Sequence, residues 1–245
     1  MRLSTIASLL VLVALFLPAC ATTPPAPPQE HSTNYILVTL HRGPKAGTYP
    51  AEEGVAIQKG HLENIGRLAD QGILYVAGPY GQVHHDPTAR GIFILNVPTI
   101  DQAWTATETD PAVETQTLVF DLAPFTTKAN LEAAWSASQA RAAELKKAGV
   151  DPSSPEEMRK AIRAYVVIEA DDGNRAEQAL ATALPPGKLI IAGRVKGTRG
   201  FFVVDAPDIS TVQGWLGAND ASLGDHTFDE WWASSLLVQA GQPGA

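Results

Sequence analysis

Runs of β-branched and aromatic residues recur along the chain, separated by stretches whose apolar positions fall three and four apart. YILVTL, starting at Tyr35, reads as a strand. From Pro50 to Gln71, apolar residues at Val55, Ile57, Leu62, Ile65, Leu68 and Ala69 give a helix one apolar face. Asp70-Gln71-Gly72 closes it, because glycine tolerates left-handed geometry at a helix end. ILYVAG (73–78), GIFILNV (91–97) and TQTLVFDL (115–122) read as further strands, with a short helix starting near Thr99. The order is β-α-β-β-α-β, the split βαβ or ferredoxin-like arrangement.

The same order returns in the second half. YVVIEA (165–170) matches YILVTL, a shorter helical stretch runs from Asn174 to Leu184, and LIIAG (189–193) matches LYVAG (74–78). GFFVVDAPDIS (200–210) follows GIFILNVPTID (91–101) almost position for position, Trp215 falls where Trp104 does allowing a two-residue shift, and Asp220 follows Trp215 by five residues as Asp110 follows Trp104 by six. Several shared segments in one order point to a duplication. Between the copies, residues 126–163 read as a helical linker. Leu131, Trp135, Ala142 and Leu145 share a face there, Gly149 and Pro152 interrupt the pattern, and a second helix is expected over 155–164. Two helices cover only one face of each four-stranded sheet, so the bare faces need partners. The expected fold is α+β: two ferredoxin-like repeats packed sheet to sheet as an intramolecular dimeric α+β barrel.

The N-terminal pattern differs in kind. Arg2 precedes an apolar run from Ile6 to Leu17, and Leu17-Pro18-Ala19-Cys20 follows. The run is shorter than the roughly 20 residues a membrane-spanning helix needs, and reads as an export signal. Leu-x-Ala-Cys resembles the lipobox of bacterial lipoproteins, which implies lipidation of Cys20 and anchoring through palmitate-type acyl chains. Two or more chains, at about 0.8 kcal/mol per buried CH₂, hold a protein stably on a membrane. Residues 21–33 carry four prolines and almost no bulky apolar groups, the composition of an extended tether. The organisation expected is a signal peptide over 1–19, lipidated Cys20 with its tether over 20–33, a first repeat over 34–125, the linker over 126–163 and a second repeat over 164–240. The location implied is the cell envelope, on the periplasmic face of the outer membrane, since Ala21 is not the aspartate that can retain lipoproteins at an inner membrane.

Charge and cysteine usage narrow the chemistry. Lys and Arg number 18 against 26 Asp and Glu, a net charge of −8, with no basic run to neutralise phosphates; nucleic acid is not an expected partner. Cys20 is the single cysteine, so lipidation leaves no thiol for disulfides, zinc or catalysis. No Gly-rich phosphate loop, zinc-protease helix or serine-nucleophile motif is present. No cofactor and no metal are expected.

The first copy resembles the YCII-like (YCII-related) family of small dimeric α+β barrel proteins. His61-Leu62-Glu63, Leu74-Tyr75-Val76-Ala77-Gly78-Pro79, the strand from Gly91 and Asp110-Pro111 carry the resemblance over roughly 35–125, with a weaker match over 165–240. It implies a dyad of His61 and Asp110 in a cleft beside the sheet, and, from a few relatives, lyase or dehydrohalogenase chemistry on a small molecule. An imidazole titrating near pH 6.5 and oriented by a carboxylate suits that proton transfer. The second copy departs from the pattern: Ala176 stands at the place of His61, and Asp220 is left without an imidazole.

Other residues read more plainly. Tyr80 and Arg90 flank the 79–90 loop and are expected at the cleft mouth as contacts for an anionic or aromatic ligand. In His84-His85-Asp86 the adjacent histidines of an extended segment point to opposite sides, a poor metal site. His41, Arg42 and His226 are expected to be solvated. Trp104, Trp215, Trp231 and Trp232 are expected in the core or in helix packing. If the last two lie in a strand, one ring faces outward as a weak hint of an envelope protein partner. Two functions stand open: a membrane-anchored lyase-like enzyme using His61 and Asp110, or a non-catalytic ligand-binding or scaffold lipoprotein.

Overall fold

The computed structural model describes residues 33–241. The leader, Cys20 and the tether up to residue 32 lie outside the described residues. Among the described residues eight strands form: β1 (Thr33–Arg42), β2 (Leu74–Pro79), β3 (Ala89–Leu95), β4 (Leu118–Thr127), β5 (Ile162–Ala170), β6 (Leu189–Val195), β7 (Arg199–Val204) and β8 (His226–Ser234). The helices are α1 (Ala51–Asp70), α2 (Ile100–Glu108), α3 (Pro111–Glu114), α4 (Leu131–Lys147), α5 (Pro155–Ala161), α6 (Gly173–Ala183) and α7 (Ile209–Leu216), with 3₁₀ turns at Gly217–Leu223 and Ser235–Gly241. The elements follow the expected order, with β5 starting three residues ahead of Tyr165 and shortening the linker. No described helix is long and apolar enough to cross a membrane.

All eight strands belong to one antiparallel sheet in the order β2-β3-β1-β4-β6-β7-β5-β8. The two halves were expected as separate sheets packed face to face. They are instead joined edge to edge, through Phe125↔Val195, Thr126↔Arg194 and Thr127↔Gly193 of β4 and β6. Pairing satisfies the backbone groups that an open edge would leave to solvent or to another chain. The sheet then curls until its outer strands meet. Tyr80 bridges Trp231, the Gly81 amide donates to the Glu230 carbonyl at 2.7 Å, and the Trp231 indole N–H donates to the Gly78 carbonyl at 2.9 Å. Gly78 is required at this seam, because a Cβ there would run into the Trp232 carbonyl oxygen. The result is a nearly closed barrel.

Alternation along the strands divides the apolar residues into three clusters. Inside the barrel, Leu37, Ile92 and Phe125 of the first half meet Val167, Phe201 and Trp231 of the second. Leu131 and Ala134 of α4 with Leu237 and Ala240 of the last turn join this cluster. Outside, Ile36, Val38 and Phe93 pack on Leu68 of α1 and Ala103 of α2. Val166, Ile168 and Phe202 pack on Leu180 of α6 and Val212 of α7. Each such side chain contributes at most about 1.5–3 kcal/mol, so the two halves stabilise one another chiefly through the interior they share.

The tryptophans split accordingly. Trp231 is fully buried in the barrel, while Trp232 on the opposite face of the same strand is exposed. Trp215 packs partly into the outer core of the second half. Trp104 is not a core residue: it is 53% exposed and lies edge-on to Phe120, with its N–H on Glu108. Alanines 103 and 106 form the buried face of α2, and such close packing leaves no room for an indole beneath the helix.

One irregularity interrupts the β1–β3 pairing. Between β1 and β3 the register slips, Leu40 pairing with Gly91 and His41 with Ala89, so Arg90 has no partner opposite it. Strict alternation with Ile92 and Ile94 would send Arg90 into the barrel. The bulge re-aims it outward, toward α1.

Candidate active site beside the first helix

His61 and Asp110 are brought together although 49 residues separate them in the chain. The His61 Nδ1 lies 2.6 Å from the Asp110 Oδ2, and both side chains are buried. His61 is on the face of α1 that turns Asn64 and Leu68 inward, the three- and four-residue spacing of a buried helical stripe. Asp110 is the N-cap of α3, its Oδ1 accepting the Ala112 amide at 2.9 Å, with Pro111 at the first helical position. Capping and pairing therefore use different oxygens of one carboxylate. A carboxylate only accepts, so Nδ1 carries the proton, and a neutral ring so oriented has its lone pair at Nε2. Nε2 has no hydrogen-bond partner among the described residues. The imidazole also stacks on Phe93, 6.1 Å between centroids, which holds its plane against the sheet.

A polar network adjoins the pair. Arg67 donates to the Asn64 Oδ1 at 2.6 Å and to the Thr109 hydroxyl at 2.7 Å, tying α1 to the segment that delivers Asp110. The Asn64 Nδ2 is buried with no acceptor. None of these three residues was singled out from the sequence. Their signal was present in the position of Asn64, on the same helical stripe as His61 and Leu68.

A cleft of about 290 Å³ opens next to the dyad. Gly54, Ile57 and Gln58 of α1 line one side, seven to three residues ahead of His61 and thus one to two turns away on the same face. Ala112, whose amide holds Asp110, lines it as well. His61 itself is behind this wall rather than in the lining, with 9% of its surface exposed. Arg90 lines the cleft, and its neighbour there is Arg42, which the sequence placed in solvent.

Tyr80 does not join them. It packs against the barrel interior and stacks on His84 at 5.7 Å, since the strand alternation that puts Gly78 at the seam turns Tyr80 inward. Burial pushes its hydroxyl well above the ordinary phenol range, reinforced by the negative charges of Glu169, Asp229 and Asp86. A second histidine–carboxylate pair lies nearby. The His85 Nδ1 is 2.8 Å from the Asp229 Oδ2, and its backbone amide donates to Oδ1 at 2.6 Å. Asp229 is fully buried on β8, so this pair straps the 80–88 segment across the seam. Asp229 was legible as an oddity: a charge at the inward parity shared by Trp231 and Ala233.

In the second half Ala176 is buried in the outer core, with no polar group to offer. Asp220 is not without an imidazole: the His226 Nε2 stands 3.4 Å away, while its Nδ1 contacts the Gly224 carbonyl at 2.7 Å. His226 is thus held rather than solvated, and so is His41, between Asp86 at 3.3 Å and Asp121 at 3.2 Å. His226 follows Asp220 in sequence and comes from β8, so it is no counterpart of His61. No metal-holding group of three or more ligands occurs among the described residues.

Comparison with known proteins adds no relative: no family model, no curated protein and no solved structure matches the chain.

Proposed function

We propose that this chain is an envelope lipoprotein, anchored at Cys20, whose folded part consists of two ferredoxin-like repeats forming an intramolecular dimeric α+β barrel of YCII-like type. Its first repeat performs proton transfer on a small molecule. The observation that carries the reading is the buried contact of 2.6 Å between the His61 Nδ1 and the Asp110 Oδ2, beside a cleft. The identical strand orders β2-β3-β1-β4 and β6-β7-β5-β8 support the repeat. In the reaction, Asp110 holds the imidazole in the tautomer that leaves Nε2 basic. Nε2 takes a proton from carbon, the C–H pair becomes a new double bond, and a substituent such as halide departs with its bonding pair. Asp110 then stabilises the imidazolium.

The test is release of halide or of an equivalent leaving group from carbonyl-bearing and aromatic halides by the full chain, with His61→Ala and Asp110→Asn in parallel. Turnover that falls about 10²-fold or more in His61→Ala supports the dyad. Turnover unchanged by that substitution removes His61 from the mechanism. Membrane fractionation that is unaltered by Cys20→Ser would end the anchoring half of the proposal.

A second reading, a ligand-binding or scaffold lipoprotein without catalysis, is favoured by the absence of His61 from the cleft lining. Ligand binding by a wild-type chain that turns over none of the halides would select it.

A further inference from the structure

We propose that the cleft between Arg42 and Arg90 binds a small organic carboxylate with a compact apolar body, an aromatic acid being the simplest case. The inference rests on the two arginines and the cleft walls, not on catalysis by His61.

Both arginines line the same cleft, and neither has a carboxylate partner among the described residues. Arg42 donates to the Ala46 carbonyl at 2.9 Å. Arg90 donates to the carbonyls of Pro87 at 3.0 Å and Ala89 at 2.6 Å. A guanidinium has five N–H donors and matches a carboxylate with two of them, so each retains donors for a ligand. Elsewhere in this acidic chain the arginines near strands are neutralised: Arg194 by Glu177, Arg163 by Asp205, Arg199 by Glu169. Two like charges facing one concavity repel, and an anion between them removes that cost.

The placement is built into the backbone. Arg42 continues the outward parity of Val38 and Leu40, and the bulge opposite sends Arg90 to the same side. No carboxylate is in the lining. The walls select what the anion carries. Ile57, Leu118 and Ala46 are apolar, and the Tyr49 ring is fixed by its hydroxyl on the Thr115 carbonyl at 3.0 Å. A volume of about 290 Å³ has room for a single ring with its acid group. Inorganic phosphate would meet the charges but leave these walls unfilled.

Isothermal titration of the full chain with benzoate, benzamide and inorganic phosphate tests the site. Benzoate should bind, more weakly as salt rises, and better than phosphate or the neutral benzamide. Arg42→Gln and Arg90→Gln should each weaken benzoate binding by about tenfold or more, as loss of a charge-assisted hydrogen bond does. Circular dichroism and a thermal midpoint on each variant confirm folding, and Arg90→Lys should recover part of the loss. His61→Ala should leave the affinity unchanged, which separates this site from the proton-transfer proposal. Absence of benzoate binding, benzamide binding equally well, affinity unaltered in both glutamine variants, or phosphate binding more tightly than benzoate would each overturn the assignment.

Discussion

Arg90 and Arg199 hold the same place in the two halves of the sheet, each directly before a glycine near the start of its strand, β3 or β7, and they act in opposite ways. Arg199 lies one residue beyond Ala170↔Gly200, the last pair of an unbroken β5–β7 register, and pairs with Glu169 at 3.1 Å, with Asp171 at 3.9 Å. Arg90 meets a register slip, turns outward and joins Arg42 at an open cleft. The strand ends differ to match: Thr39, His41 and Arg42 in the first half, Glu169, Asp171 and Asp172 in the second. One bulge and three differing residues separate an ion-paired barrel end from a cationic recess. The helices diverge likewise, α1 carrying His61 toward Asp110 while α6 puts Ala176 into the core.

The largest effect is expected where the halves are not distinguishable. Trp231→Ala removes the biggest side chain of the shared interior and should cost about 3–5 kcal/mol in urea unfolding. The loss should appear in a single transition, because both inner faces contact that cluster. Two separated transitions in the wild-type chain would show halves that fold on their own.

Asp229→Asn comes next. It removes the charge that holds His85 across the seam, and should cost about 1–3 kcal/mol. Amide exchange at Gly81 and Glu230, the hydrogen bonds that close the barrel there, should quicken more than exchange at the β4–β6 join. Uniform acceleration would mean that the strap is not local.

The two arginines then separate by stability alone. Arg199→Gln leaves Glu169 without its cation and should cost on the order of 1 kcal/mol at neutral pH, between the surface and buried-pair ranges. Arg90→Gln strands no carboxylate and should stay within about 0.5 kcal/mol. Equal losses would undo the contrast drawn between them.

The smallest effect is a pH slope. Burial pushes the Glu169 carboxyl above its ordinary range, partly offset by Arg199 and His85. Its contribution is therefore present below the ordinary glutamate value and lost as pH rises through the raised folded value. Glu169→Gln should flatten that part of the stability profile. Asp205 has the opposite sign: burial opposes its ionisation, but hydrogen bonds and charge from Arg163 and Lys188 outweigh it and hold the carboxyl low. Its contribution is lost as pH falls through that lowered value.

Much of the architecture was legible in residue order. Runs of β-branched and aromatic residues at Tyr35, Ile73, Gly91 and their later counterparts marked the strands, and Gly72, with φ +68°, ended α1 as glycine does. The match of GFFVVDAPDIS to GIFILNVPTID announced equivalent strands, which take equivalent places in the sheet. The pairing of His61 with Asp110 was also foreseen, through the resemblance rather than through spacing. The misplacements share one cause. Tyr80, Trp104, His41 and Arg42 were placed by local polarity, whereas their surroundings come from elements distant in the chain.

Composition and periodicity alone determine which segments are strands and helices, because those depend on neighbours two to four residues away. They determine as well that the chain is acidic and carries one thiol. Tertiary structure decided how the sheet closes, since the partner of an edge strand lies far along the chain and any unpaired edge accepts one. It also decided the side to which Arg90 points. A register slip against β1 is invisible in the letters of β3, yet it moves a charge from the interior of the barrel to a cleft.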